Sequence, residues 1–256
     1  MALNIVWISA NSFGFEMLKE VIEMDPYSFQ RIRIKAIFTL EKITPEKIYD
    51  GVDQKNWYLF GVPVIEVGNI NDHIGEIKEF HPDLIVVCGW RQIIKKELLS
   101  IAPKGIIGFH PALLPRGRGP APIINTILEG LTQSGVTMYY LSEGIDDGDI
   151  IGQDSFIVEP DDYVKDIYEK IIACTKRLIR IYLPRVADGT AQRYPQSECG
   201  ATYFPKRTMK DNEINLDTDS ADMIYRKIRA FSKPYLGAFI VKGNKKIIIW
   251  NAELQE

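Results

Sequence analysis

The sequence predicts an α/β fold: a mostly parallel, Rossmann-like open sheet with helices on both faces, plus a small C-terminal α+β subdomain. Three observations carry this. Short runs rich in Val, Ile and aromatic residues alternate with stretches of helical periodicity, the pattern of βαβ units. The run at 83–88 is almost continuously apolar, as befits a strand covered on both faces, whereas a half-solvated strand would alternate. Beyond residue 190 the composition turns polar and rich in Pro and Gly before a last helix-like run and two strand-like runs.

The elements follow in order. Residues 4–10 are an apolar run containing Ile, Val and Trp, and Asn11-Ser12 stands behind it in the position of a helix cap. Phe15, Leu18, Val21 and Ile22 then recur at helical spacing, so the chain opens as strand, loop, helix. Residues 32–40 read as a second strand and 62–66 as a short third; 70–80 reads as a helix with Ile70, Ile74 and Ile77 on one face. The runs 83–88 and 105–109 are the next strands. Residues 122–129 form a helix whose first turn tolerates Pro122, and 135–141 and 150–158 are strands. The longest helix runs from 161 to about 185. Val164, Ile167, Tyr168, Ile171, Ile172, Leu178, Ile179 and Tyr182 make its apolar face, Asp161-Asp162 stand at the positive end of its dipole, and Gly189 ends it. Residues 190–219 are turn-rich, 221–230 a short helix, and 238–242 and 245–250 the closing strands. The expected division is a catalytic domain over 1–189 and a C-terminal subdomain over 190–256.

Bulk properties exclude several classes. At 256 residues, with 46% hydrophobic and 25% charged residues, the chain can bury a substantial core and is not of disordered composition. Its longest apolar runs, 84–88 and 247–250, are too short for a bilayer, and the opening run lacks the cationic start of a signal peptide, so no membrane partner and a cytoplasmic location are expected. The net charge of −3 argues against a nucleic-acid partner, since Lys95-Lys96 and Lys245-Lys246 are the densest basic clusters. Cys88, Cys174 and Cys199 are too few and too scattered for a disulfide framework or a zinc site, and no metal is expected.

The loop after the first strand, Ser9-Ala10-Asn11-Ser12-Phe13-Gly14-Phe15, has one glycine where a dinucleotide fold needs three, and no P-loop sequence is present. The chemistry-bearing residues lie elsewhere. Gly108-Phe109-His110-Pro111-Ala112-Leu113-Leu114-Pro115-Arg116-Gly117-Arg118-Gly119-Pro120-Ala121-Pro122 is followed by Glu143-Gly144-Ile145-Asp146-Asp147-Gly148-Asp149. These supply a histidine and a carboxylate on tight loops at the ends of strands, where an open α/β sheet holds its active site. Each alone also has a plain reading, His110 as a structural histidine and Asp146 as part of a turn. In combination they are the catalytic candidates.

In these elements the sequence resembles the folate-dependent formyltransferases, which carry His-Pro-Ser-Leu-Leu-Pro, then Arg-Gly-x-x-Pro, then Gly-Leu-Asp-x-Gly. The resemblance implies a reaction in which an amine takes a formyl group from 10-formyltetrahydrofolate through a tetrahedral intermediate. No metal is implied. His110 would donate to the developing oxyanion, and Asp146 would pair with it and help relay a proton through water. Backbone over Trp90, Arg91, Gln92, Ile93 and Ile94, and over Ser142, Glu143, Gly144 and Ile145, would match the edge of the pterin. Family members carry an asparagine two positions before the histidine as an oxyanion donor, where this chain has Gly108. Asn125 is offered as its replacement, with a backbone N–H or a water as the alternatives. Asn11 and Ser12 would seat a substrate phosphate at the first helix, and Arg116, Arg118, Lys206 and Arg207 are further candidates for substrate binding.

The tail, through Ala201-Thr202-Tyr203-Phe204-Pro205-Lys206-Arg207 and Arg229 to Tyr235, is similar to that of sugar N-formyltransferases. The implied acceptor is a small-molecule amino-sugar nucleotide, such as a UDP- or dTDP-4-amino-4,6-dideoxy sugar of a pseudaminic-type or surface-polysaccharide pathway. Methionyl-tRNA, a carrier-bound aminoacyl group and a catalytically impaired folate or sugar-nucleotide binding protein are the alternatives. Residues 190–256 are expected to contribute substrate contacts or a subunit interface, and a homodimer is one possible assembly.

Overall fold

A computed structural model of the chain describes residues 2–24, 32–41 and 50–255. Its strands are β1 (Leu3–Ile8), β2 (Ile32–Leu40), β3 (Val64–Val67), β4 (Leu84–Val87), β5 (Ile106–His110), β6 (Gln133–Tyr140), β7 (Ile150–Ile157), β8 (Ala238–Lys242) and β9 (Lys245–Ile249). The helices are α1 (Ser12–Glu23), α2 (Gln54–Trp57), α3 (Ile74–Glu79), α4 (Lys96–Leu99), α5 (Pro122–Leu128), α6 (Val164–Asp188) and α7 (Ala221–Phe231).

Strands β1 to β7 form one sheet in the order β3-β2-β1-β4-β5-β6-β7. The pairings from β3 to β5 are parallel and β5 pairs antiparallel with β6. This is the expected open α/β sheet. The order reverses between β1 and β4, which opens the crevice where such folds bind ligands. Its apolar strands are buried: Ile5, Val6, Trp7 and Ile8 of β1 have at most 1% of their surface exposed. One core layer gathers Val6, Ile8, Phe38, Ile70, Ile77, Ile85, Leu98 and Ile106, with Trp90 and Leu141 packed against it. A separate antiparallel sheet pairs β8 with β9.

The differences from expectation have local causes. The third strand starts at Val64 rather than 62, because Pro63 has no N–H for a ladder; its carbonyl still accepts from the Ile37 amide at 2.9 Å. The helix expected over 70–80 is split into a 3₁₀ turn, Ile70–Asp72, and the shorter α3. Asn69 accepts the Asn71 amide at 3.1 Å and Gln92 accepts that of Ile70 at 2.9 Å, so side chains take the backbone donors that a first helical turn would leave free. The longest helix starts three residues late. Asp162 accepts the Glu159 amide and Asp166 that of Tyr163, both at 2.8 Å, which makes this stretch a cap rather than a first turn. It ends where expected, at Gly189 with φ +72°, and the Thr190 amide returns to the Arg185 carbonyl at 2.8 Å.

The chain forms two compact units that divide it by space rather than by sequence order. Unit 1 takes Met1–His110, Thr137–Asp154 and Thr175–Gln196; unit 2 takes Pro111–Val136, Ser155–Cys174 and Ser197–Glu256. Within unit 2, backbone bonds tie Pro115 and Arg118 to residues 202–204. Arg118 donates its amide to the Thr202 carbonyl at 2.9 Å and its carbonyl accepts from the Phe204 amide at 2.8 Å. Gly117 lies so close to the Phe204 ring that a Cβ there would stand 2.3 Å from it. Helix α5 packs on α7 within the same unit.

Candidate active site

In unit 1, β5 delivers His110 and β6 faces it. Gly108 stands opposite Tyr139 and His110 opposite Thr137 in the antiparallel register. Alternation along each strand therefore puts Gly108, His110, Thr137, Tyr139 and Leu141 on one face. Beyond β6 the chain turns through Ser142–Asp149, and Asp146 sits at its apex in the left-handed region, φ +51°. Asp is among the few residues that occupy that region readily, since its short polar side chain can hydrogen-bond locally.

His110 Nδ1 lies 3.5 Å from one Asp146 oxygen, an ion pair when the imidazole is protonated. The other oxygen accepts a hydrogen bond from the Tyr139 hydroxyl at 2.6 Å. His110 is buried and Asp146 largely so. Burial first, and then the Asp146 carboxylate, push the Tyr139 phenol well above its ordinary range, so it stays protonated and donates. The loop is held from below: Gln196 Nε2 donates to the carbonyls of Asp146 and Gly148, each at 2.8 Å. Ser142 donates to the Asp147 carboxylate. A Cβ at 148 would stand 1.8 Å from the Tyr140 carbonyl oxygen, so only glycine fits there. A buried imidazole backed by a carboxylate on a braced turn can act as a general acid or an oxyanion donor.

Two stretches expected to meet a pterin, 90–94 and 142–145, come together in this unit. Lys96, just past the first, pairs with Glu143 of the second at 2.8 Å. Gln92 is tied down, donating to the Gly68 carbonyl at 2.8 Å and accepting from Ile70. Ile94 is in the core and Trp90 packs against it with its indole N–H buried and unsatisfied. Ile93 and Ile145 project outward with 84% and 63% of their surface exposed. Each stretch presents an exposed apolar side chain; the Ile93 carbonyl accepts from Asn71 Nδ2 at 2.9 Å, and Gln196 holds residue 146, next after the second stretch. Among the described residues no group of His, Cys, Asp and Glu could hold a metal ion.

The phosphate seat expected at Asn11 and Ser12 is already used. Asn11 caps α1 by accepting the Gly14 amide at 3.0 Å, and the Ser12 amide donates to the Asp50 carbonyl at 2.8 Å. The Asp50 carboxylate accepts from Asn11 Nδ2 at 3.0 Å and from Arg91 at 2.6 Å. Asn11 and the Ser12 amide are thus committed to the cap and to Asp50, whose carboxylate is itself paired with Arg91. Asn11→Ala is expected to lower stability by about 1 kcal/mol. The apparent Kd for a sugar nucleotide should stay within about twofold; a large rise would restore the phosphate role.

Unit 2 holds the remaining candidates. Asn125 is fully buried, and its amide donates to the carbonyls of Pro120, Ala121 and Pro205 at 3.2, 2.9 and 3.1 Å, while its oxygen accepts from Arg207 Nε at 2.7 Å. With both N–H groups committed, it is a structural tie and not the oxyanion donor expected of it. Arg118 is 1% exposed, donates to Glu198 at 2.9 Å and to the Tyr203 hydroxyl at 3.0 Å, and is likewise structural. Arg207 also meets Asp211 at 3.4 Å, whereas Arg116 and Lys206 are exposed.

Three contributors escaped the sequence. Tyr139 was visible only as a strand residue, and its role depends on the register that sets it opposite Gly108. Gln196 and Asp50 act from segments remote in sequence with no motif around them.

Residues 69–181 match the formyl transferase family, and residues 206–256 match the formyl transferase C-terminal domain. Among solved structures, a sugar N-formyltransferase from a Shewanella species is similar over 99% of both chains, at 21% identity and a TM-score of 0.77. An N-formyltransferase from Helicobacter canadensis, in complex with folinic acid and dTDP-3-aminofucose, is similar over 97% of this chain and 87% of its own, at 19% identity and a TM-score of 0.72. The methionyl-tRNA formyltransferase of Clostridium thermocellum is similar over 99% of this chain and 94% of its own, at 20% identity and a TM-score of 0.67.

Proposed function

We propose, from the premise that this chain belongs to the formyl transferase family, that it moves the formyl group of 10-formyltetrahydrofolate onto the amine of a nucleotide-linked amino sugar. The observation that carries the reading is the His110–Asp146 pair, braced on two strand-end loops of unit 1. Bound folate would supply the activated formyl group. Residues 90–94 and 142–145 are the proposed holders for it, with Ile93 and Ile145 exposed beside backbone that can match the pterin edge. His110, oriented at Nδ1 by Asp146, presents Nε2 to the oxygen on which charge develops as the amine attacks. Asp146 stands beside the imidazole, and a water there would carry the attacking amine's proton to N10 as tetrahydrofolate leaves.

A sugar-nucleotide acceptor is supported by the full-length likeness to the Shewanella enzyme and by the dTDP-sugar held in the Helicobacter relative. The net charge of −3 does not favour tRNA. Within this class the acceptor is proposed to be a UDP- or dTDP-linked 4-amino-4,6-dideoxy sugar of a pseudaminic-type or polysaccharide pathway. Arg116 and Lys206, both exposed, are the proposed phosphate contacts. Competition binding separates the classes: with a fluorescent nucleotide probe on the protein, dTDP or UDP should displace it and initiator tRNA should not. Displacement by tRNA alone would overturn the sugar reading.

A further inference from the structure

Residue 108 carries no side chain, and the space beside it is taken from β6. A Cβ at 108 would stand 2.6 Å from Leu141 Cδ1 and 3.5 Å from the Tyr139 ring. Leu141 takes the volume, and Tyr139 beside it reaches Asp146 with its hydroxyl. We infer that Tyr139 is a positioning residue of the active site, whose phenol fixes Asp146 so that the second carboxylate oxygen stays directed at His110. The inference rests on the formyl-transfer reading for its kinetic consequence, though not for its geometry.

The physical case has three parts. The phenol and the imidazole meet different oxygens of the carboxylate. A carboxylate gripped by only one partner can rotate about its Cβ–Cγ bond, and a hydroxyl at 2.6 Å opposes that rotation. The phenol is also buried and kept protonated, so it donates at every pH the protein would meet. Gln196 fixes the backbone of residue 146, and the Tyr139 hydroxyl grips its carboxylate. Glycine at 108 permits this arrangement, since a Cβ there would meet Leu141 at 2.6 Å and force it to shift.

Tyr139→Phe removes the hydroxyl and keeps the ring, so a purely space-filling role predicts no change. The first readout is independent of turnover: ring-nitrogen NMR of the histidines. On Tyr139→Phe the His110 signals should move while those of His73 and His81 stay. An unmoved His110 signal overturns the inference. The second readout is steady-state kinetics with 10-formyltetrahydrofolate and an accepting amino-sugar nucleotide. Here kcat should fall by about 10²-fold with KM for both substrates within about threefold. In an Asp146→Asn background the same substitution should cost nothing further, because the phenol acts through that carboxylate. A kcat within about threefold of wild type, or an equal loss in both backgrounds, overturns it. So does a Tyr139→Phe protein that no longer melts cooperatively, which would make the hydroxyl a structural strut. If the wild type transfers no formyl group while the His110 signals still move, the failure belongs to the functional reading and not to this one.

Discussion

His110→Ala and Asp146→Ala are each expected to reduce kcat for formyl transfer by about 10²–10⁴-fold, the range that acid–base and charge-stabilising groups supply. The geometry gives the reason. His110 sits at the very end of β5 and Asp146 at the apex of a turn, and they meet at 3.5 Å. Neither belongs to the apolar layer of unit 1, but His110 is buried, so kcat is compared on variants that still melt cooperatively. The turn that carries Asp146 is held by Gln196 through backbone carbonyls, which the substitution leaves in place. Removing both side chains should cost little more than removing one, because the pair acts as a unit. Either variant retaining more than about a tenth of wild-type kcat would remove that residue from the mechanism.

Asn125→Leu is expected to produce the largest loss of stability, about 2–3 kcal/mol, with little effect on the chemistry of the folded protein. The substitution keeps the approximate volume but strips a donor from three carbonyls and an acceptor from Arg207. Arg207 retains Asp211 at 3.4 Å, which limits the damage. Thermal unfolding should show the fall. Measured below the transition, kcat should stay within about threefold of wild type, far from the 10²-fold or greater loss expected on removing an oxyanion donor. A variant of unchanged stability and collapsed kcat would reverse the assignment.

The contrast between these residues explains what a sequence can disclose. His110 and Asp146 were legible because the turns that present them need Gly and Pro at fixed offsets, which leaves a local signature. The strands at 32–40 and 238–242 were legible to the residue, since their β-branched and apolar content is local too. Asn125 was legible only as a helix-start asparagine. Burial against residue 205 and the pairing with Arg207 come from a segment about 80 positions away. Asn11 was correctly a cap, yet the carboxylate that engages its side-chain amide arrives from position 50. Tyr139 depends on the β5–β6 register, a property of the folded sheet, and the grouping of the two units depends on the backbone bonds of Arg118 to Thr202 and Phe204.

The central claim is transfer of a formyl group from folate to a sugar amine, and one measurement addresses it. The protein is incubated with 10-formyltetrahydrofolate labelled with carbon-13 in the formyl group and, in turn, UDP- and dTDP-linked 3-amino and 4-amino deoxy sugars. The products are followed by carbon NMR. The predicted result is a labelled formamide on the nitrogen of at least one amino sugar, formed with tetrahydrofolate in equal amount and abolished by His110→Ala. Labelled formate released without any formamide, or label appearing only on methionyl-tRNA when that is supplied, would contradict it.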